Sequence, residues 1–241
     1  MKKLFMRGLL VMAVVSVIAA IAFYSWAMAT YGPSEELQQL VQLDEVAVVD
    51  DALVFEPGEA ARNGIGVVLY PGAKVEGAAY SYYAQQLMNE GVTVIIPAMR
   101  LNFALFSPNV AADYVEQFAH IDRWVVGGHS LGGVAAAMYA AEHEVDGLLL
   151  LASYPSDGTN LREATFPVLS LSAEYDGLTT RADIDASKER LPKHAMFVEI
   201  AGGNHAQFGM YGAQKGDGAA TISAVEQQEA IVTCTLEWLA Q

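Results

Sequence analysis

The stretch Trp124-Val125-Val126-Gly127-Gly128-His129-Ser130-Leu131-Gly132-Gly133 runs from an apolar strand straight into the small-residue helix that begins Val134-Ala135-Ala136-Ala137. It holds Gly128-x-Ser130-x-Gly132 with no room for a longer connection. A strand-to-helix turn this tight puts the serine in a strained backbone conformation, and glycines two residues to either side avoid the clashes that side chains would cause there. The turn lifts the Ser130 hydroxyl above the carboxyl edge of a sheet. It also leaves the Leu131 N–H at a helix N-terminus, aimed at any oxyanion that develops beside the serine. Spacing alone would be a weak signal; the strand before it and the Ala-rich helix after it make it a strong one.

Working outward, short Val/Ile/Leu runs alternate with helical stretches. The expected strands are 46–49, 53–56, 65–70, 92–97, 124–127, 147–152, 167–172 and 195–200, and the expected helices 78–89, 108–120, 131–143, 179–190 and 223–240. The first two strands flank Asp50-Asp51 as a hairpin. Ser107-Pro108 reads as a capped helix start, Ser223 with Glu226 as a capping box, and Gly91 as a helix stop. Runs such as Leu148-Leu149-Leu150-Leu151 are apolar on consecutive residues, so both faces are buried, as in a parallel sheet covered by helices. The fold class is therefore α/β, with a mostly parallel central sheet of about eight strands flanked by helices.

A serine at such a turn needs a base, and the base an orienting acid, in the chain order Ser, Asp or Glu, His. His205, in the glycine-rich loop Ala201-Gly202-Gly203-Asn204-His205 after the last strand, is placed to reach back to Ser130. His129 lies within the turn and should point away from the serine, His120 and His143 end helices, and His194 precedes a strand. Asp176, beside Gly177, is the expected acid; Glu174 and Asp157 are its rivals. The loop Tyr70-Pro71-Gly72-Ala73-Lys74-Val75 should supply the second oxyanion donor, the Ala73 N–H, with Lys74 at the mouth. Only Ser153 to Phe166 separates the sixth strand from the acid-bearing one, too little for a large cap domain, so the pocket should be open and walled by residues such as Leu101, Phe103, Tyr154 and Phe208. Gly216-Asp217-Gly218 lacks the further acids of a calcium loop, so no metal and no other cofactor is expected.

These residues resemble the α/β-hydrolase superfamily, and within it the dienelactone-hydrolase-like, membrane-anchored bacterial hydrolases. The likeness rests on 70–75, Met99-Arg100-Leu101-Asn102-Phe103-Ala104, 128–133, Tyr175-Asp176-Gly177 and Gly202-Gly203-Asn204-His205-Ala206-Gln207-Phe208-Gly209, and spans roughly Val46 to Leu239. It implies an α/β-hydrolase fold with Ser130, Asp176 and His205 as a triad. Dienelactone hydrolases use a cysteine nucleophile, whereas the one cysteine here, Cys234, falls in the terminal helix, so their lactone activity is not carried over. The expectation is a serine hydrolase acting on a small-molecule carboxylic ester. An amidase, peptidase or acyltransferase, or a tethered binding module without activity, remain its alternatives.

Composition adds location. The 241 residues are 53% hydrophobic with a mean hydropathy of +0.27, yet carry a net charge of −15. Residues 1–29 reconcile the two, with 23 apolar side chains, three cations (Lys2, Lys3, Arg7) and no acid. The organisation read from this is an N-terminal anchor or signal segment (1–29), a linker (30–42) and a hydrolase domain (43–241). Residues 8–29 are long enough to cross a bilayer, the cations before them keep the N-terminus inside, and Tyr24 and Trp26 sit at the outer interface. Ala27-Met28-Ala29 is also an acceptable cleavage site, after which the protein would be secreted. Either way the domain is extracytoplasmic. The net charge of −18 on residues 30–241 argues against nucleic acid as a partner and, modestly, against phospholipid as a substrate. The length of the apolar run favours an anchor at the cell membrane. N-terminal sequencing of the mature protein is expected to find Lys2 retained, and a chain beginning at Thr30 would mean cleavage.

Overall fold

The computed structural model describes residues 2–241. Eight strands form one sheet: β1 (Ala47–Val49), β2 (Ala52–Phe55), β3 (Ile65–Tyr70), β4 (Thr93–Ile96), β5 (Arg123–His129), β6 (Gly147–Leu151), β7 (Val168–Ala173) and β8 (Met196–Ile200). Their order is β1-β2-β4-β3-β5-β6-β7-β8; β1 and β2 are antiparallel, and every pair from β3 onward is parallel. Asp50 and Asp51 make the β1–β2 turn, both at positive φ (46° and 64°), as a two-residue hairpin turn of matching twist requires.

The helices are α1 (Lys2–Ala27), α2 (Glu35–Leu40), α3 (Ser81–Asn89), α4 (Ala111–Gln117), α5 (Leu131–Glu142), α6 (Arg181–Ser187) and α7 (Ala224–Leu239). Strand periodicity divides the core into two layers. Val67 and Leu69 of β3, with Leu149 and Leu151 of β6, face the side covered by α3 and α7; Val68, Tyr70, Leu148 and Leu150 face the side covered by α4 and α5. Burial of consecutive residues is thus the mark of a strand sandwiched between helical layers.

The expected capping box of α7 is present, with Ser223 Oγ accepting from Glu226 N and the Glu226 carboxylate from Ser223 N. The start expected at Ser107-Pro108 is not. The helix begins at Ala111, because the Tyr70 hydroxyl accepts from Ala111 N (3.1 Å) and donates to Pro108 O (2.8 Å), a cap delivered from the end of β3.

Residues 30–42, read as a linker, are laid on the domain. Tyr31 bridges to Val75, Ser34 N donates to Met210 O, and Leu37 and Val41 are buried with Met210. From Met6 to Trp26, by contrast, every side chain of α1 is exposed, and only Ala27 is buried.

Two features of the sheet position the site. The order reverses at β3, so the segments leaving β3 and β5 diverge at its carboxyl edge, where a crevice forms in open α/β sheets. In addition, α7 closes one layer through Trp238, buried over Gly147 and Val125. Trp238→Ala should cost about 3–5 kcal/mol of stability, readable as a lower urea midpoint of the detergent-solubilised protein.

Candidate active site

Ser130 sits between β5 and α5 at φ 52°, ψ −123°, a conformation that costs a non-glycine residue about 1–3 kcal/mol. Four bonds hold it: Ser130 N to Leu151 O (3.0 Å), and its carbonyl accepting from Ser153 Oγ (2.6 Å), Gly133 N (3.0 Å) and Val134 N (3.3 Å). The flanking glycines are sterically obligatory. A Cβ on Gly128 would strike the Gly132 backbone, and one on Gly132 would strike the carbonyls of Tyr70 and Pro71. The second contact packs the helix start against the loop leaving β3, with Ala73 in it. The N–H groups of Leu131 and Ala73 have no acceptor among the described residues.

Asp176 follows β7 and His205 follows β8, adjacent parallel strands. Their buried side chains meet, His205 Nδ1 to Asp176 Oδ2, at 2.8 Å. Asp176 Oδ1 accepts from Leu178 N (2.8 Å) and Thr179 N (2.6 Å), which fixes the carboxylate's orientation. With Nδ1 donating to Asp176, Nε2 is the ring nitrogen left to accept a proton. Ser130 Oγ itself makes no hydrogen bond among the described residues.

The rival acids are engaged elsewhere. Glu174 accepts from Gly202 N (2.8 Å), bracing the loop ahead of His205, and Asp157 is 98% exposed and pairs with Arg190. His120 also meets a carboxylate, Glu56 at 2.9 Å. Glu56 follows β2, however, which runs antiparallel to β4, so that pair lies at the opposite edge of the sheet from Ser130.

His129 turns its ring inward. Tyr80 OH lies 2.9 Å from both Gly72 N and His129 Nδ1. That hydroxyl accepts from the Gly72 amide and shares a second hydrogen bond with the His129 imidazole at Nδ1. Burial holds its pKa well below the ordinary histidine value, with the neighbouring His205 adding to the effect. The His129 ring lies 4.5 Å from that of His205 and stacks on buried Phe208 at 5.9 Å. Tyr80 and His129 thus join the loop after β3, the residue before Ser130 and the His205 ring.

Asp217, considered above only as an inadequate calcium ligand, joins the remaining loops. Its Oδ1 accepts from Gly177 N (3.1 Å), His205 N (3.2 Å) and Gly218 N (2.8 Å), and its Oδ2 from Ala206 N (2.8 Å). One carboxylate therefore clamps the segments bearing Asp176 and His205. A lone Asp between two glycines was its only signal in the sequence.

The expected walls divide: Lys74, Leu101 and Phe103 lie on adjoining loops, and Tyr154 and Phe208 lie on other segments. Lys74 (φ 61°) and Leu101 (φ 53°) occupy strained loop positions, Phe103 is half-buried, Tyr154 lies near Asp183 and Arg190, and Phe208 is in the core beneath His129. Cys234 is half-buried on α7, and burial pushes its thiol pKa up.

The model of the alpha/beta hydrolase family matches residues 66–229, more than half of the chain, and the chain belongs to that family. The match is to the family at large and does not single out its dienelactone-hydrolase-like members. Solved structures with the same fold include Est1E from Butyrivibrio proteoclasticus (16% identity, TM-score 0.59, covering 79% of this chain and 94% of that one). An alpha-beta serine hydrolase homologue from Coxiella burnetii is similar (16%, 0.58, 76% and 90%), as is a thermophilic esterase from Thermogutta terrifontis (14%, 0.54, 80% and 91%). No curated protein matches the chain by sequence.

Removing the clamp tests its weight. Hydrogen bonds to a charged group contribute about 1.5–3 kcal/mol each. Asp217→Ala should therefore lower thermal stability and cut turnover at least about tenfold through misplacement of the two loops, whereas loss of Asp157 should leave both unchanged.

Proposed function

We propose that the chain is an exported, membrane-tethered serine hydrolase that cleaves carboxylic esters through an acyl-enzyme. The observation that carries the reading is the buried 2.8 Å Asp176–His205 pair at the same sheet edge as the strained Ser130 turn. His205 Nε2 takes the Ser130 proton as Oγ attacks the ester carbonyl. The Leu131 and Ala73 N–H groups, free of other acceptors, stabilise the tetrahedral oxyanion. His205 then protonates the departing alkoxide as the ester C–O bond breaks, and Asp176 stabilises the imidazolium and holds its tautomer. Water, deprotonated by the same imidazole, releases the acid and restores Ser130. In ligand-free sites the serine–histidine bond is commonly long and closes only in the complex, in keeping with the unbonded Ser130 Oγ.

Anchoring rests on α1. Met6–Ala27 is a 22-residue apolar span, exposed from Met6 to Trp26, so leaving it in water would strand a large apolar surface. The esterase among the structural relatives favours an ester over an amide substrate.

A fluorophosphonate probe should label Ser130 in the folded protein and not in Ser130→Ala; an unlabelled wild type would refute the enzyme reading. Asp176→Asn should lower kcat by about 10⁴-fold, while Glu174→Gln, which keeps an acceptor for Gly202 N, should stay near wild type. Equal losses would move the orienting role to Glu174.

A further inference from the structure

No spacer separates the apolar helix from the rim of the site. Ala27 is buried against the domain, and its carbonyl accepts from Asn102 Nδ2 at 3.1 Å. Trp26 stacks on Phe103 with ring centroids 5.5 Å apart, Phe103 meets Phe106 edge-on at 6.0 Å, and the Lys74 ammonium sits 4.5 Å over the Trp26 ring. Tyr31 then clasps the loop that carries Ala73: its N–H donates to Lys74 O (2.7 Å) and its carbonyl accepts from Glu76 N (3.0 Å). Lys74 N in turn donates to Asn102 O (2.8 Å). Residues 104–106 pack on α5, the helix that begins immediately after Ser130.

The length of α1 sets the depth of this rim. At 1.5 Å per residue the span Met6–Ala27 reaches about 33 Å, the thickness of a hydrocarbon core. If it crosses, Ala27 ends at the outer boundary, and everything bonded to Ala27 and stacked on Trp26 lies at headgroup level. The surface there is suitably apolar. Trp26 is 53% exposed, Phe106 47% and Leu105 40%, and Met28 is exposed beside them in the chain. Tyr175 and Leu178, flanking Asp176 at the same carboxyl edge, are exposed as well. Of the six large apolar side chains exposed on residues 43–241 among those described, four therefore surround the site and only Val48 and Met196 lie elsewhere. A water-facing mouth has no use for such a rim, whereas apolar and aromatic side chains beside a membrane span insert into the interface.

We infer that the site opens onto the bilayer that α1 crosses, and that its substrate is an uncharged lipid-borne carboxylic ester, entering from the membrane interface past Phe106 and Lys74. The inference rests on the tethered serine hydrolase reading. Charge selects the lipid: residues 30–241, of net charge −18, are repelled by anionic headgroups, which leaves neutral esters dissolved in the leaflet. The reaction is ester plus water to carboxylic acid plus alcohol, with Ser130 Oγ holding the acyl group between the two halves.

The test uses the full chain in phosphatidylcholine nanodiscs containing dioleoylglycerol, with p-nitrophenyl acetate as the water-borne comparison. Replacing both Leu105 and Phe106 by Asp should lower the ratio of lipid-borne to water-borne turnover at least about tenfold, by removing the two inserting side chains. A nitroxide on Leu105→Cys, in a Cys234→Ser background, should be accessible to oxygen and shielded from a water-soluble nickel chelate. The same label on Lys193→Cys, at the opposite sheet edge, should show the reverse. An unchanged ratio, or a nickel-accessible label at 105 in a protein that hydrolyses p-nitrophenyl acetate, overturns the inference alone. A wild type inert to both esters overturns the hydrolase reading beneath it.

Discussion

The contact between the start of α5 and the end of β3 is the constraint on which the rest of the site depends. Helix and strand approach so closely that Gly132 has the carbonyls of Tyr70 and Pro71 where a side chain would be. That approach forces the sharp turn at Ser130, and the turn forces its positive φ. The strain persists because strand β6, Ser153 and two helical amides all hold the same residue. The same contact packs the loop that carries Ala73 against the start of the helix that carries Leu131.

Three carboxylates and one phenol then tie the other loops to this turn, each by a different mechanism. Asp176 is oriented by two backbone amides and orients His205. Asp217 collects four amides from the segments around them, and Glu174 fixes Gly202 at the base of the histidine loop. Tyr80 spends its hydroxyl on Gly72 and His129, which holds the His129 ring packed against that of His205. Burial and the neighbouring His205 both disfavour a charge on His129.

The conflict between an apolar composition and a strong negative charge resolves into a division of surface. Hydropathy is concentrated in α1 and at the site's edge, and acidity is spread over the domain. These features agree if the membrane is approached from one side only, with the apolar rim inward and the acidic remainder in water. The segment 30–42 is held on the domain by hydrogen bonds from Tyr31 and Ser34 and by burial of Leu37 against Met210.

What the sequence by itself determined is what local rules govern. Alternating apolar runs and helical stretches, the hairpin aspartates, the serine between glycines and the terminal capping box all express backbone preferences within a few residues, and each could be read from neighbours in the chain. That Ser130, Asp176 and His205 would fall at one sheet edge was legible too, because each follows the carboxyl end of a parallel strand. The helix expected from Ser107-Pro108 was misplaced because its cap comes from Tyr70, a strand and a loop away. Only the tertiary structure decided which acid meets His205, what Asp217 and Tyr80 hold, and where the apolar helix docks. Those outcomes depend on groups tens of residues apart being brought within hydrogen-bonding distance, a property of the packed sheet that no local pattern encodes.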